Sequence, residues 1–319
     1  MRGVILDCDS LGPDDLDFTE LYDLPIEWTV YPNCLESQVL DYIADADIVL
    51  TNKTAISAST MAQAPRLKLI TLTATGTNVV DLEAAKARGI VVSNAVNYGT
   101  ASVVQHTWTL ILALTTNLQP YSRSAMEGGW AQSKYFCLLE YPVRELAGKT
   151  LGIVGAGDLG TGVAKIAEAF GMQVVFAALP GRSYSDDLPR VGLMDMLPMV
   201  DVLSLHCPLT PQTERLISTP QLALMKKSAI LINTARGAII DEQALKQALI
   251  SGEIAGAGLD VLSVEPPVNG NVLLDTEISN LIVTPHSAWI AKEARQRLIT
   301  QMTENISTFM NGKPLRQVN

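Results

Sequence analysis

The sequence predicts an α/β protein built from two doubly wound parallel sheets, a flavodoxin-like domain and a Rossmann-type domain. Three observations carry that expectation. Short β-branched runs alternate with helical segments along the whole chain. The 319 residues are about twice the length of an ordinary domain. Near the middle, an apolar strand runs straight into a glycine-rich loop and then into a helix with an apolar stripe.

In the first hundred residues, strands are expected at 3–6, 27–30, 48–50, 69–72 and 90–93, with a helix at 81–88 that Gly89 terminates. A second set of six strands follows residue 145, at 150–154, 173–177, 202–206, 229–233, 256–259 and 281–284. A long helical pattern at 102–127 bridges the two sets. The last segment, 291–310, carries Leu298, Met302, Ile306 and Phe309 at helical spacing with no strand after it. It is expected to fold back on the first half. The expected domains are therefore 1–99 plus 288–319 and 100–287.

Hydrophobic residues make up 48% of the chain and charged residues 18%, enough apolar material for packed cores and too little charge for disorder. Asp and Glu number 33 against 23 Lys and Arg, and the net charge of -10 repels nucleic-acid phosphates and anionic lipid alike. Neither nucleic acid nor membrane is an expected partner. Cys8, Cys34, Cys137 and Cys207 show no C-x-x-C spacing and no nearby His at ligand spacing, so neither a disulfide framework nor a metal site is expected. Asp7 and Asp9 break the first apolar run before a signal core could form, and no stretch approaches the roughly 20 apolar residues of a spanning helix. A cytoplasmic protein is expected.

The strand 151–154 leads into Gly155-Ala156-Gly157-Asp158-Leu159-Gly160, after which Val163, Ile166, Ala167 and Phe170 form a helical stripe. Gly155 allows the tight turn, Gly157 lets a pyrophosphate approach the backbone, and Gly160 lets helix and strand pack closely. The dinucleotide fingerprint also expects an acid about 20 residues on, at the end of the next strand, for the adenosine ribose. Ala178 stands there instead. Arg182 lies just beyond, with no carboxylate beside it in the chain, and suits a 2′-phosphate. The other reading is that Arg182 is a solvated loop residue and backbone alone holds the ribose. NADP(H) is favoured and NAD(H) remains possible.

Only His106, His206 and His286 are available for proton transfer near neutral pH. His106 lies within a helical pattern and reads as structural. His206 ends a strand before Cys207-Pro208, at the edge where a nucleotide lies in an open α/β sheet, and reads as a wall of the cofactor site. His286, Arg236 and Glu265 each follow a strand at the same kind of edge. A guanidinium that forks onto a carboxylate, an imidazole that exchanges one proton, and an acid that orients the imidazole make a set suited to reducing a 2-keto acid.

The chain resembles the D-isomer-specific 2-hydroxyacid dehydrogenases over essentially its full length. The matching segments include Gly76 in Ala74-Thr75-Gly76-Thr77-Asn78, the glycine loop, 206–210, 233–237, 258–261, Glu265-Pro266 and 284–289. Trp130 through Leu138 and the His-Ser-Ala-Trp ending resemble the glycerate dehydrogenase, or hydroxypyruvate reductase, branch. The resemblance implies that Arg236 binds the substrate carboxylate and carbonyl, that His286 is the acid–base, and that Glu265 pairs with it. It implies that backbone amides at Thr75 and Gly76 hold the carboxylate and that Asp260 faces the nicotinamide carboxamide. Thr100, Cys207, Pro208, Thr234 and Ala235 would line the cofactor. It also implies a homodimer joined through the cofactor domain, and reduction of a small 2-keto acid, hydroxypyruvate or glyoxylate, to D-glycerate or glycolate. The alternative is a dinucleotide-sensing binding module, as in transcriptional corepressors of the same fold. The acidic surface and the lack of a disordered tail count against it.

Overall fold

A computed structural model of the chain describes residues 1–179, 181–184, 188–274 and 278–319. It divides into two compact units, Met1–Gly99 with Trp289–Asn319, and Thr100–Ala288. The larger unit ends one residue beyond the expected boundary at 287.

The smaller unit holds β1 (Arg2–Ile5), β2 (Glu27–Val30), β3 (Ile48–Thr51), β4 (Leu69–Leu72) and β5 (Val91–Ser93). All pair in parallel, in the flavodoxin-like order β2-β1-β3-β4-β5. Every residue of β3 and β4 is buried, as the unbroken apolar runs of a two-sided sheet require. The helix Lys292–Met310 covers one face, burying Leu298, Met302 and Ile306 against Ile5, Ile48, Leu50 and Leu69. Asp81 caps the helix Leu82–Ala87 by accepting the Ala84 amide, and Gly89 follows at φ +68°. Strand order reverses between β1 and β3. There the buried Asp7 carboxylate accepts the amides of Asn52 (2.9 Å), Lys53 (2.7 Å) and Thr54 (2.9 Å), fixing the loop after β3.

The larger unit holds β6 (Thr150–Val154), β7 (Gln173–Ala178), β8 (Arg190–Gly192), β9 (Val202–Leu205), β10 (Ile230–Asn233), β11 (Gly256–Leu259) and β12 (Leu281–Val283). Their order is β12-β11-β10-β9-β6-β7-β8, all parallel, the Rossmann order extended by one strand. Strand order reverses between β6 and β9, so the glycine loop and His206 leave the sheet side by side.

Two expectations need correction here. Among the described residues this sheet has seven strands rather than six, because β8 is a three-residue edge strand with no fully buried side chain. Its sequence lacks the apolar run that marks an internal strand. The helical pattern at 102–127 is two helices, Thr100–Thr115 and Leu118–Met126. Asn117 breaks it at φ +50°, donating its side-chain amide to Pro142 O at 2.6 Å. Asparagine enters the left-handed region more readily than most residues, and Pro120 falls in the first turn of the second helix, where a missing N–H costs little.

Candidate active site

The glycine loop joins β6 to the helix Asp158–Ala169. Gly155 sits at φ +106°, and a Cβ there would lie 2.6 Å from the carbonyl carbon of His206. A Cβ on Gly160 would lie 2.0 Å from Gly155 O, whereas one on Gly157 would meet open space. The loop thus presses against β9 on one side and is open on the other. Gly157 caps the helix without a side-chain hydrogen bond, so the amides of the first turn, from Asp158 and Leu159 onward, are available to an anion. Ala156 is half-buried in the same turn.

His206 donates to or accepts from Ser204 Oγ through Nε2 at 2.8 Å, while its Nδ1 is buried with no hydrogen-bond partner among the described residues. Burial pushes this imidazole down to about 4, so it is neutral near pH 7 and unsuited to proton donation. Burial likewise pushes the Cys207 thiol up to about 11. Pro208 follows, exposed. The orphaned Nδ1, the uncapped helix and the glycine cradle fit a dinucleotide at this edge. At its far end Ala178 closes β7, and Arg182 lies 5.5 Å from the ring centroid of Tyr184. Arg182, Ser183, Pro208 and Thr210 line a cleft of about 400 Å³.

Because β10, β11 and β12 are neighbours, the loops that follow them share the same sheet edge. Asn233 shapes the first, accepting the Ala235 amide (3.0 Å) and donating to Arg236 O (2.9 Å). Arg236 is exposed, with one guanidinium nitrogen on Ala235 O at 2.7 Å. At Gly237 an added Cβ would lie 1.9 Å from the carbonyl carbon of Leu262, so only glycine lets the first loop touch the second. In that second loop Glu265 accepts the Leu262 amide through Oε1 (2.8 Å) and meets His286 Nδ1 through Oε2 at 2.6 Å. The structure therefore brings Glu265 and His286 into direct contact, with Arg236 on the adjoining loop. With Nδ1 directed at a carboxylate, Nε2 is the nitrogen left for a substrate.

Burial acts to raise the Glu265 pKa, but the His286 hydrogen bond, the Leu262 amide and the charges of His286 and Arg236 outweigh it and hold the carboxyl below its ordinary value. The group is thus ionised at neutral pH, and its contact with His286 is lost only as pH falls through that depressed value. In Glu265→Gln the ionised partner of His286 Nδ1 is replaced by a neutral amide. The kcat for keto-acid reduction should fall about tenfold or more, the scale of a displaced catalytic group, with cofactor affinity unchanged, and an unchanged kcat would show that the pair does not act together.

Asp260 is 1% exposed. Its Oδ1 accepts the Thr284 hydroxyl (2.6 Å) and the Ser287 amide (2.8 Å), its Oδ2 accepts the Ala288 amide (2.9 Å), and its backbone carbonyl accepts the His286 amide (2.8 Å). The carboxylate is turned onto the 284–288 loop, where it grips the chain around a histidine at φ +52°. A non-glycine residue there persists only when its surroundings hold it. Thr234, buried, meets Thr107 Oγ1 at 3.1 Å, and Thr100 opens the helix Thr100–Thr115. Thr75 and Gly76 belong to the smaller unit, on the loop after β4, where Thr75 O accepts from Asn94 at 2.8 Å. Sequence reasoning gave no roles to Asn233, Gly237 or Thr284. Their signal was only their place beside Arg236 and His286.

A Rossmann sheet with this glycine loop and this Arg, Glu and His on one edge defines a dinucleotide-dependent oxidoreductase. Residues 108–288 match the model of the D-isomer specific 2-hydroxyacid dehydrogenase NAD binding domain. The chain is 45% identical over 315 residues to glycerate dehydrogenase of Methylorubrum extorquens, covering 98% of this chain and 96% of that one. It is 40% identical to hydroxypyruvate reductase of Blautia hydrogenotrophica, over all of both chains. The structure of an NADPH-dependent glyoxylate/hydroxypyruvate reductase from Sinorhizobium meliloti superimposes with a TM-score of 0.82 at 27% identity, covering 99% of this chain and 97% of that one. The chain belongs to the D-isomer specific 2-hydroxyacid dehydrogenases. It is an enzyme of the CH–OH group that uses a nicotinamide dinucleotide, and the binding-module alternative is not favoured. No helix among the described residues is long and apolar enough to cross a membrane.

Proposed function

We propose that this enzyme reduces hydroxypyruvate or glyoxylate, to D-glycerate or glycolate, and that it prefers NADPH to NADH. The Glu265–His286 contact beside Arg236 carries the reading, and the activities for which its relatives are named supply the substrate class. The reduced nicotinamide supplies the hydride. Arg236 binds the carboxylate of the keto acid, His286 Nε2 gives a proton to the carbonyl oxygen as it becomes an alkoxide, and Glu265 holds the imidazole in that orientation. Thr75 and Gly76 are assigned as a carboxylate-binding loop of the smaller unit. Thr100–Ala288 is assigned to the cofactor and Met1–Gly99 with Trp289–Asn319 to the substrate. Met126, Phe136 and Leu139 are 87%, 91% and 85% exposed, and this apolar run in the larger unit supports a homodimer through it.

Ala178 and the Arg182 cleft support the cofactor preference. No carboxylate at 178 repels a 2′-phosphate, and Arg182 is a cation at the cleft wall. The test is a panel of small keto acids with NADH and NADPH in parallel, with sedimentation of the same sample. Turnover should be greatest with hydroxypyruvate or glyoxylate and NADPH. Ala178→Asp should invert the order of cofactors, and Arg182→Ala should weaken NADPH while sparing NADH. A wild type that strongly prefers NADH removes the argument from Ala178, turnover of neither keto acid removes the substrate, and a monomer removes the dimer.

A further inference from the structure

The mechanism leaves His106 and Thr284 without a part, yet both lie beneath the loop that carries His286. On the helix Thr100–Thr115, Ser102 and His106 are one turn apart and face the same way. Ser102 Oγ donates to Ala288 O at 2.5 Å, and His106 Nε2 lies 2.9 Å from Thr284 Oγ1 and 3.4 Å from Asp260 Oδ1. One helix face thus holds both ends of the 284–288 loop.

The protons along this chain can be assigned. Thr284 has one hydroxyl hydrogen, and the 2.6 Å contact with Asp260 Oδ1 takes it, since a carboxylate can only accept. Thr284 Oγ1 must then accept from His106, so His106 carries its proton on Nε2. The order is His106 Nε2–H to Thr284 Oγ1, and Thr284 Oγ1–H to Asp260 Oδ1. Asp260 in turn holds the amides of Ser287 and Ala288, and its carbonyl holds the amide of His286 in its left-handed conformation.

We infer that His106 is a positioning residue for His286, acting through Thr284 and Asp260. This rests on the reading of His286 as the proton donor. His106 aligns the Thr284 hydroxyl, the hydroxyl aligns the Asp260 carboxylate, and the carboxylate sets the strained backbone that directs His286 at Glu265. Displacement of a catalytic group by about an ångström is enough to cost up to a hundredfold in rate.

The experiment is a double-mutant cycle on the full-length enzyme with a keto acid and reduced cofactor. His106→Leu removes the donor and Thr284→Val removes the hydroxyl between. Each should lower kcat about tenfold or more, on the scale of such displacements, while the cofactor Kd from nicotinamide fluorescence stays within about twofold, below the roughly 1.4 kcal/mol that a tenfold change represents. The double variant should be no worse than the poorer single one, because both break the same chain. His106→Gln, whose amide can still donate, should recover most of the rate. Near-wild-type kcat in the single variants, losses that multiply in the double variant, or a glutamine variant as poor as leucine would each overturn the inference. If His106→Leu does not fold, Thr284→Val and His106→Gln decide it. His286→Ala runs alongside: full activity there would remove the proton-donor reading itself, whereas an inactive His286→Ala beside unaffected His106 variants would remove only this inference.

Discussion

His286→Ala should lower turnover of the keto acid by roughly 10²–10⁴, the range that general acid catalysis contributes, with cofactor affinity almost unchanged. The separation follows from what each side chain touches. The dinucleotide loop is shaped by Gly155, Gly160 and the backbone of His206 just after β9, whereas the His286 side chain is held by Glu265. Glu265 would keep its bond from the Leu262 amide and lose only the imidazole, and it lies far enough into solvent to be hydrated. The backbone at 286 should survive, because its amide bonds to Asp260 O and Thr284 O do not depend on the side chain. Alanine at φ +52° carries some strain, so a small fall in Tm is expected beside the loss of rate. Steady-state kinetics with cofactor titration by fluorescence reads both quantities. Near-normal turnover in a folded variant would remove His286 from the chemistry.

That the three residues proposed for that chemistry share one edge was legible in the sequence, because each stands after an apolar strand and a parallel sheet collects such positions on one edge. What holds them there was less legible. Asn233 shapes the Arg236 loop by bonding backbone atoms, and Gly237 matters for a Cβ it lacks, so neither has a chemical signature of its own. For Asp260 the sequence held no sign that its carboxylate is buried on the neighbouring loop, something only the path of 284–288 reveals. Among the elements, β3, β4 and β10 were readable because all their side chains are buried and apolar runs mark them. β8 was not, since an edge strand of three residues takes its register from β7. The break at Asn117 was hidden for a similar reason. The flanking Thr115 and Thr116 continue the helical pattern while bonding back to Ile111 and Leu112 carbonyls, and one backbone rotation at a residue that tolerates it ends the helix.

Arg236→Lys keeps the charge and should still weaken keto-acid binding, by about tenfold or more in KM, since a charge-assisted hydrogen bond is worth about 1.5–3 kcal/mol. A guanidinium offers two parallel N–H donors in one plane, matched to a carboxylate, and an ammonium offers a single strongly hydrated point. The rest of the loop should not notice the change. Asn233 fixes Ala235 and Arg236 through their backbone atoms, and Gly237 seats the loop on Leu262 whatever side chain precedes it. Among the described residues the Arg236 side chain hydrogen-bonds the neighbouring Ala235 carbonyl, a contact within its own loop, so the protein has little to lose in stability. Its charge also helps hold the Glu265 carboxyl low, and lysine preserves that contribution in part. The expected pattern is therefore a raised KM for keto acid, a cofactor Kd close to wild type and an unchanged Tm. Equal weakening of keto acid and cofactor would instead put Arg236 in the cofactor site, and a wild-type KM would mean that charge alone, without the fork, suffices to hold the substrate.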